Sequence, residues 1–148
     1  MENASFRHFT NAEILNSERF FRTKLINCLS GPKPGFLVGT QSPNGQANLA
    51  IFTSVFHVGA NPPYLGLIAR PDTVDRHTLE NIRSTKVYTL NNIRESYYKE
   101  AHQTSARYDR DQSEFKLTGI EPWESDNFTA PYVAEATIRI GLSFREEH

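Results

Sequence analysis

The stretch of sequence that decides the fold is Asn48-Leu-Ala-Ile-Phe-Thr-Ser-Val-Phe-His57. Read as one extended strand, it places successive side chains on opposite faces of a sheet, so Thr53 and Ser54 interrupt two otherwise apolar faces. A buried hydroxyl needs a hydrogen-bond partner. The two hydroxyls are therefore either bonded to neighbouring backbone or offered to a polar ligand that lies against the sheet.

The sequence that follows this strand contains a tight turn, a second strand and the start of a helix. Gly59-Ala-Asn-Pro-Pro-Tyr-Leu-Gly-Leu-Ile-Ala-Arg70 has a Pro-Pro turn, and Arg76-His-Thr-Leu-Glu-Asn-Ile82 has helical spacing with Leu79 and Ile82 on one face. Arg70 and the basic start of this helix favour a ligand that carries an anion, because free amides at a helix N-terminus bind such groups.

The other elements follow from periodicity and turn residues. Thr10-Asn-Ala-Glu13 fits a capping box and predicts a short helix to about Ser17, while residues 18–29 stay open between helix and strand. Asn44-Gly45 predicts a hairpin. The remaining predicted elements are strands at 36–40, 47–58, 64–69, 87–90 and 132–144, a helix from Thr73 or Asp75 through Ile82, a helix at 95–103 and a polar loop at 104–112. This pattern predicts one domain over residues 1–148 with about five strands.

Composition limits the function. A net charge of −1 over 148 residues offers no basic field for nucleic acid, so no nucleic-acid partner is expected. No apolar stretch approaches the roughly 18 residues of a membrane helix, and the first residues lack a signal pattern, which predicts a cytoplasmic protein without a membrane partner. The single cysteine, Cys28, is predicted to be a small buried hydrophobe, and no metal site is expected.

Taken in series, these motifs resemble the flavin reductase-like family of FMN-binding split barrels. An Asn-Leu-Ala-x-Phe-Ser/Thr-x-Phe strand, a Pro-Pro turn and a Thr-x-x-Asn-Ile helix occur in that family in this order. The resemblance extends over roughly residues 25–144 and includes Gly35-Phe-Leu-Val-Gly-Thr40, Lys86-Val-Tyr-Thr-Leu-Asn91, Ala101-His-Gln-Thr-Ser-Ala106 and Ser113-Glu-Phe115. It implies a mainly β fold, a β-barrel with flanking helices, that binds FMN and transfers a hydride between NAD(P)H and flavin.

The resemblance also implies which residues form the site. The flavin ring and ribityl chain would lie along the strand residues Asn48, Leu49, Ala50, Ile51, Phe52, Thr53 and Ser54, and the phosphate would meet Arg70, Arg76, His77 and Thr78. The nicotinamide or another small-molecule substrate would contact His102, Thr104 and Ser105. No catalytic side chain is named, because the cofactor itself performs the redox step.

Several alternatives remain open from the sequence. Arg70 and Arg76 taken singly are compatible with solvated surface charges, and the protein could be a non-enzymatic FMN-binding protein or electron carrier, or act on another small substrate. The family is generally homodimeric, so a homodimer is expected. With about five predicted strands, either a partner chain completes the edge of the barrel or the sequence lacks the usual C-terminal strands.

Overall fold

The computed structural model describes residues 7–69 and 77–148. They belong to two compact units, residues 1–33 and residues 34–148. The first unit contains helices α1 (Asn11–Asn16) and α2 (Arg19–Leu29). The predicted capping box is confirmed, since Thr10 Oγ1 accepts the N–H of Glu13 at 3.2 Å and a Glu13 carboxylate oxygen accepts the N–H of Thr10 at 2.7 Å. The region left open between helix and strand is a helix.

The prediction that Cys28 is buried is wrong. Cys28 is exposed, and no residue of α2 is buried. Two short helices have too little surface to enclose a core between them, so the apolar spacing of α2 does not produce burial within this unit.

The second unit is built on a four-stranded antiparallel sheet in the order β2-β1-β5-β8. Two antiparallel ribbons, β3-β4 and β6-β7, accompany it. The strands are β1 (Phe36–Gln41), β2 (Ala47–Phe52), β3 (Val55–Ala60), β4 (Pro63–Leu67), β5 (Val87–Asn92), β6 (Pro122–Ser125), β7 (Phe128–Val133) and β8 (Arg139–Ser143). The described residues thus contain eight strands, not five.

Two predicted long strands are each divided into two. The strand predicted at 47–58 breaks at Thr53 and Ser54, where Ser54 is bonded to Ile68. Ser54 Oγ donates to the carbonyl of Ile68 at 2.7 Å, and the N–H of Ile68 donates to the carbonyl of Ser54 at 3.1 Å. The strand predicted at 132–144 ends at Val133 and resumes at Arg139 in a different sheet. Alternation of apolar residues continues through both corners, so periodicity alone does not reveal them.

The helices of this unit flank the sheet. They are α3 (His77–Thr85), a 3₁₀ turn (Glu95–Tyr97) that leads into α4 (Tyr98–Gln103), and α5 (Glu114–Thr118), which was not predicted. The proposed caps of α3, Thr73 and Asp75, lie outside the described residues. In the part of the chain that the structure covers, no helix has the length and apolar character needed to cross a bilayer.

Both faces of the central sheet are covered. Leu37 and Val38, neighbours on β1, are each 0% exposed and belong to two different core clusters, because adjacent strand residues point to opposite faces. One cluster takes Tyr97, Ala101 and Phe115 from the 3₁₀ turn, α4 and α5. This arrangement confirms the predicted mainly β fold with flanking helices.

A buried asparagine links the strands β1, β5 and β7 by hydrogen bonds. Asn91 of β5 donates to the carbonyl of Leu37 at 3.1 Å and to Thr89 Oγ1 at 2.9 Å, and its Oδ1 accepts the N–H of Val133 at 3.0 Å. β7 crosses β1 nearby, where a Cβ on Gly39 would lie 2.1 Å from the carbonyl oxygen of Pro131. This contact between backbones allows no larger residue at position 39.

Candidate functional site

The second unit contains an open cleft of about 840 Å³. Its walls are β2 with the corner that follows it, the first residues of α3 and the loop at 104–110. Small-molecule sites usually occupy about 300–1,000 Å³. The cleft therefore has the size of a site for a ligand as large as a nucleotide.

Most of the predicted site residues line this one cleft. They come from three separate parts of the sequence, which supports the grouping made from the motifs. The lining residues that were predicted are Asn48, Ala50, Ile51, Phe52, Thr53, Ser54, His77, Thr78, Thr104 and Ser105. Their contact with a flavin or a substrate remains a prediction.

Four predicted residues are not part of the described lining. The side chain of Leu49 is fully buried in the core, on the face of β2 opposite to its lining neighbours. His102 is exposed on α4 and is not among the residues that line the cleft. Arg70 and Arg76 lie outside the described residues.

The edge of β2 is a source of backbone donors. β2 is the outer strand of the four-stranded sheet, and the N–H of Leu49 points away from β1 to the Glu114 carboxylate at 3.0 Å. In an antiparallel ladder, N–H groups two residues apart point to the same side. The N–H of Ile51 consequently points away from β1 as well, on the wall of the cleft, and no described strand pairs with this edge.

The two hydroxyls at the corner after β2 differ in their hydrogen bonding. Ser54 Oγ donates to the Ile68 carbonyl, so its proton is satisfied by backbone. Thr53 is exposed and has no hydrogen bond within residues 7–69 and 77–148.

The hydroxyls on the opposite wall also bond to backbone. Thr104 Oγ1 donates to the Ala101 carbonyl at 2.8 Å and Ser105 Oγ to the His102 carbonyl at 2.7 Å. Both carbonyls lie at the end of α4, and each also accepts the backbone N–H of the same residue, Thr104 or Ser105. Thr104 and Ser105 retain only acceptor capacity toward the cleft.

A buried polar network fixes α3 against the sheet. Asn48 Nδ2 donates to Thr40 Oγ1 at 3.2 Å and to Thr78 Oγ1 at 3.0 Å, and Asn81 Nδ2 donates to the same Thr40 oxygen at 3.2 Å. Thr78 accepts in this network, which leaves its hydroxyl proton without a partner in the described part of the chain. The network thus holds the Thr78 hydroxyl at the wall of the cleft.

Charged residues of both signs line the cleft. Arg107 is exposed and has no ion-pair partner among the described residues, whereas Arg110 is paired with Glu80 of α3. Glu114 is 7% exposed, and burial raises the pKa of its carboxyl, while the Leu49 N–H and the nearby His77 act in the opposite direction. The cleft therefore combines a cation that is open to solvent with a largely desolvated acid.

Sequence reasoning missed Arg107, Arg110 and Glu114. All three lie in or next to the stretch that was interpreted as a polar loop. The available signal was the clustering of charged residues at 107–111 directly before the Ser113-Glu-Phe115 motif. Within the described ranges, no group of His, Cys, Asp or Glu is arranged to hold a metal ion.

Comparison with known proteins identifies the family. Residues 29–148 match the model of the flavin reductase like domain, so the chain belongs to the flavin reductase-like family. A crystal structure of a protein with a split barrel domain from Shewanella frigidimarina NCIMB 400, provisionally assigned as a flavin reductase, superimposes with a TM-score of 0.90 at 46% identity. That match covers 95% of this chain and 70% of the other, and it confirms the split-barrel fold.

Two further relatives bear on the fold and on length. Nitrilotriacetate monooxygenase component B from Bacillus cereus has a TM-score of 0.79 at 23% identity, over 95% of this chain and 68% of that chain. An uncharacterized protein of Aquifex aeolicus is 29% identical over 78% of this chain and 60% of its own length. The chain spans about 60% of the length of the curated relatives that it matches.

Proposed function

We propose that this protein binds FMN noncovalently in the cleft and transfers a hydride between NAD(P)H and the flavin. The observation that carries the proposal is the convergence of β2, the first residues of α3 and the loop at 104–110 on one cleft of about 840 Å³ in a chain of the flavin reductase-like family. When bound, the flavin supplies the two-electron chemistry, and the protein supplies binding, orientation and electrostatics.

The lining residues fit a planar ring whose edge carries hydrogen-bond acceptors. Ala50, Ile51 and Phe52 provide apolar surface, and the N–H of Ile51 and the hydroxyl of Thr53 are donors without described partners. Apolar walls with a few placed polar groups are typical of small-molecule sites. In this proposal the apolar residues exclude water from the ring and the two donors fix its orientation.

The phosphate is proposed to lie toward α3. Thr78 offers a hydroxyl donor there, and His77 is the neighbouring side chain of the same wall. Arg70 and Arg76 are proposed as phosphate ligands on sequence grounds, since a guanidinium binds phosphate through two parallel hydrogen bonds. Ser54, Asn48 and Leu49 would act by shaping β2 and its corner.

The pyridine nucleotide is proposed to approach from the loop at 104–110. Thr104 and Ser105 form part of this wall, and His102 belongs to the helix that precedes it. Arg107 projects a positive charge on the same side, which favours a substrate that carries phosphates. A reduced pyridine nucleotide as donor is the reason to propose a cytoplasmic location.

Flavin binding and reduction are tested separately. Purified protein titrated with FMN should quench flavin fluorescence, and chromatography of the flavin released on heating separates FMN from FAD. Anaerobic NADH or NADPH should then bleach the visible absorbance of the bound flavin. Protein that does not take up FMN contradicts the whole proposal, whereas protein that binds FMN but is not reduced by either nucleotide supports the electron carrier instead.

The role of Arg70 is tested by comparing two ligands. Arg70→Ala should weaken FMN binding by about tenfold or more and riboflavin binding much less, because only FMN carries the phosphate. Arg139→Ala is a matched control: it removes the same charge, but Arg139 stacks on the ring of Trp123, 4.7 Å from its centroid, and does not line the cleft. Equal weakening of both ligands by Arg70→Ala would show that Arg70 does not contact the phosphate.

A homodimer is proposed on the basis of the β3-β4 ribbon. Three large apolar side chains of this ribbon are exposed: Phe56 is 48%, Val58 57% and Tyr64 42% exposed. Apolar patches of this kind commonly mark interaction surfaces. Light scattering after size-exclusion chromatography should give the mass of two chains, and Val58→Lys should shift it toward one; a monomeric wild type contradicts this part of the proposal.

A further inference from the structure

Glu114 lines the cleft, and its carboxylate is bonded to the backbone of β2. Its Oε2 accepts the N–H of Leu49 at 3.0 Å, which anchors α5 to the outer edge of β2. Oε1 accepts no hydrogen bond from another described residue. Glu114 is only 7% exposed, and it is one of the residues that line the cleft. The part of Glu114 that remains open to solvent therefore faces the cleft.

Occupation of the cleft changes the surroundings of this oxygen. A ligand that fills the cleft removes water from the side of Glu114 that lines it, and desolvation disfavours the charged form of a carboxyl group. A phosphate-bearing ligand adds repulsion between like charges. Both effects raise the affinity of Glu114 for a proton.

Charged groups of both signs lie on the elements around Glu114. His77 of α3 is the group that acts on the pKa of Glu114, which it lowers, and β2 contributes no titratable side chain. The remaining titratable groups on the elements next to α5 are Arg107, Tyr108, Asp109, Arg110 and Asp111 in the loop, Tyr98, Lys99, Glu100 and His102 on α4, and Lys116 on α5 itself. The loop cations are exposed and well solvated, so they offset only part of the lost hydration.

We propose that Glu114 is a proton-linked positioning residue, which holds the β2 edge through the Leu49 N–H and takes up a proton when FMN fills the cleft. The proton moves from solvent to Oε1, and no other bond forms or breaks. The neutral acid still accepts from Leu49 through Oε2, and its new O–H is a donor toward the ligand. This inference rests on the proposed function, because FMN is the ligand.

Proton uptake is measured by calorimetric titration of FMN in two buffers of different ionisation enthalpy. Wild type should take up more protons per FMN than Glu114→Gln, in which a neutral amide keeps the acceptor for Leu49 and a donor toward the cleft. As the pH rises above the pKa of Glu114 in the free protein, the affinity of wild type for FMN should fall by up to about tenfold per pH unit relative to the variant. Titration of the FMN phosphate is common to both proteins and cancels in this comparison.

Asp109→Asn is the matched control. Asp109 lines the same cleft but is exposed, so its removal should leave the uptake unchanged. Riboflavin, which has no phosphate, should still cause the part of the uptake that results from desolvation. If Glu114→Gln does not fold, infrared difference spectra of wild type provide the second measurement: a protonated carboxyl band should grow on riboflavin binding.

The outcomes separate this inference from the proposed function. FMN binding with equal uptake by wild type and Glu114→Gln, or loss of uptake in Asp109→Asn alone, overturns the role of Glu114 and leaves FMN binding intact. Absence of the carboxyl band overturns it in the same way. Failure of wild type to bind FMN overturns both.

Discussion

Burial sets the energetic value of otherwise similar hydrogen bonds, and two adjacent residues allow this to be measured. Asn91 and Asn92 are neighbours on β5, and the side chain of each takes part in three hydrogen bonds. Asn91 is 0% exposed, whereas the bonds of Asn92, to Thr137 and Ile138, are at the surface. Replacing each asparagine by alanine removes the same atoms in two different environments.

The expected losses follow from what each variant leaves behind. Asn91→Ala deprives the buried Val133 N–H and the Leu37 carbonyl of this partner, and each buried polar group left unsatisfied costs about 1–3 kcal/mol. A loss of about 2–5 kcal/mol in the free energy of unfolding is expected. Asn92→Ala exposes its former partners to water, which replaces the lost bonds, so a loss of about 0.5–1.5 kcal/mol is expected.

Urea unfolding measures both losses. Trp123, the one tryptophan in the sequence, provides the fluorescence signal. With a slope of about 1–3 kcal/mol per molar urea, Asn91→Ala should lower the midpoint by about 1 M or more without changing the slope. Both variants are compared without added flavin and at one protein concentration, because ligands and association shift apparent stability. Equal losses in the two variants would refute the argument from burial.

Three further variants test the packing around the cleft. Thr40→Val removes the oxygen that accepts from both Asn48 and Asn81, so it should lower the free energy of unfolding in urea by about 1–3 kcal/mol and weaken FMN binding. An unchanged urea midpoint would show that this network does not stabilise the fold. Leu49→Ala, at a side chain that is 0% exposed, should cost about 2–5 kcal/mol by the same assay, and a cost below 1 kcal/mol would argue against this core. The raised pKa of Glu114 means that its contribution to stability is fully present below the unfolded value of about 4.5 and is lost as pH rises through the folded value. As the pH rises through that window, the free energy of unfolding of Glu114→Gln should therefore increase relative to that of wild type. A difference between the two proteins that does not depend on pH would contradict the raised pKa of Glu114.

Sequence patterns predicted individual elements well where one physical signal dominated. The capping box at Thr10 and the Asn44-Gly45 hairpin depend on contacts within a few residues, so local sequence determines them. The corner at Thr53 and Ser54 depends on a hydrogen bond to Ile68, fourteen residues away, and alternation of side chains runs through it unchanged. The exposure of Cys28 likewise depends on what α2 packs against, which periodicity does not state.

The candidate site was predictable to a similar extent. Motif order selected β2 and the start of α3, and both line the cleft. It did not indicate that the Leu49 N–H is already taken by Glu114, because that bond joins residues 65 positions apart. Nor did it indicate that Ser54, Thr104 and Ser105 donate to backbone carbonyls. Thr104 and Ser105 bond within one helical turn, and Ser54 bonds across to Ile68, so in each case the partner depends on backbone geometry.

These bonds determine which groups remain for a ligand. Along the outer edge of β2, Glu114 occupies the donor at Leu49 and leaves the donor at Ile51, two residues and about 7 Å further along the strand. At the corner beyond it, Ser54 is bonded to backbone and Thr53 is not. The available donors thus begin at Ile51 and continue toward Thr53, away from the carboxylate. An acceptor-rich ring would therefore align with the Ile51 end of β2, and its closest approach to Glu114 would depend on whether that carboxyl carries a proton.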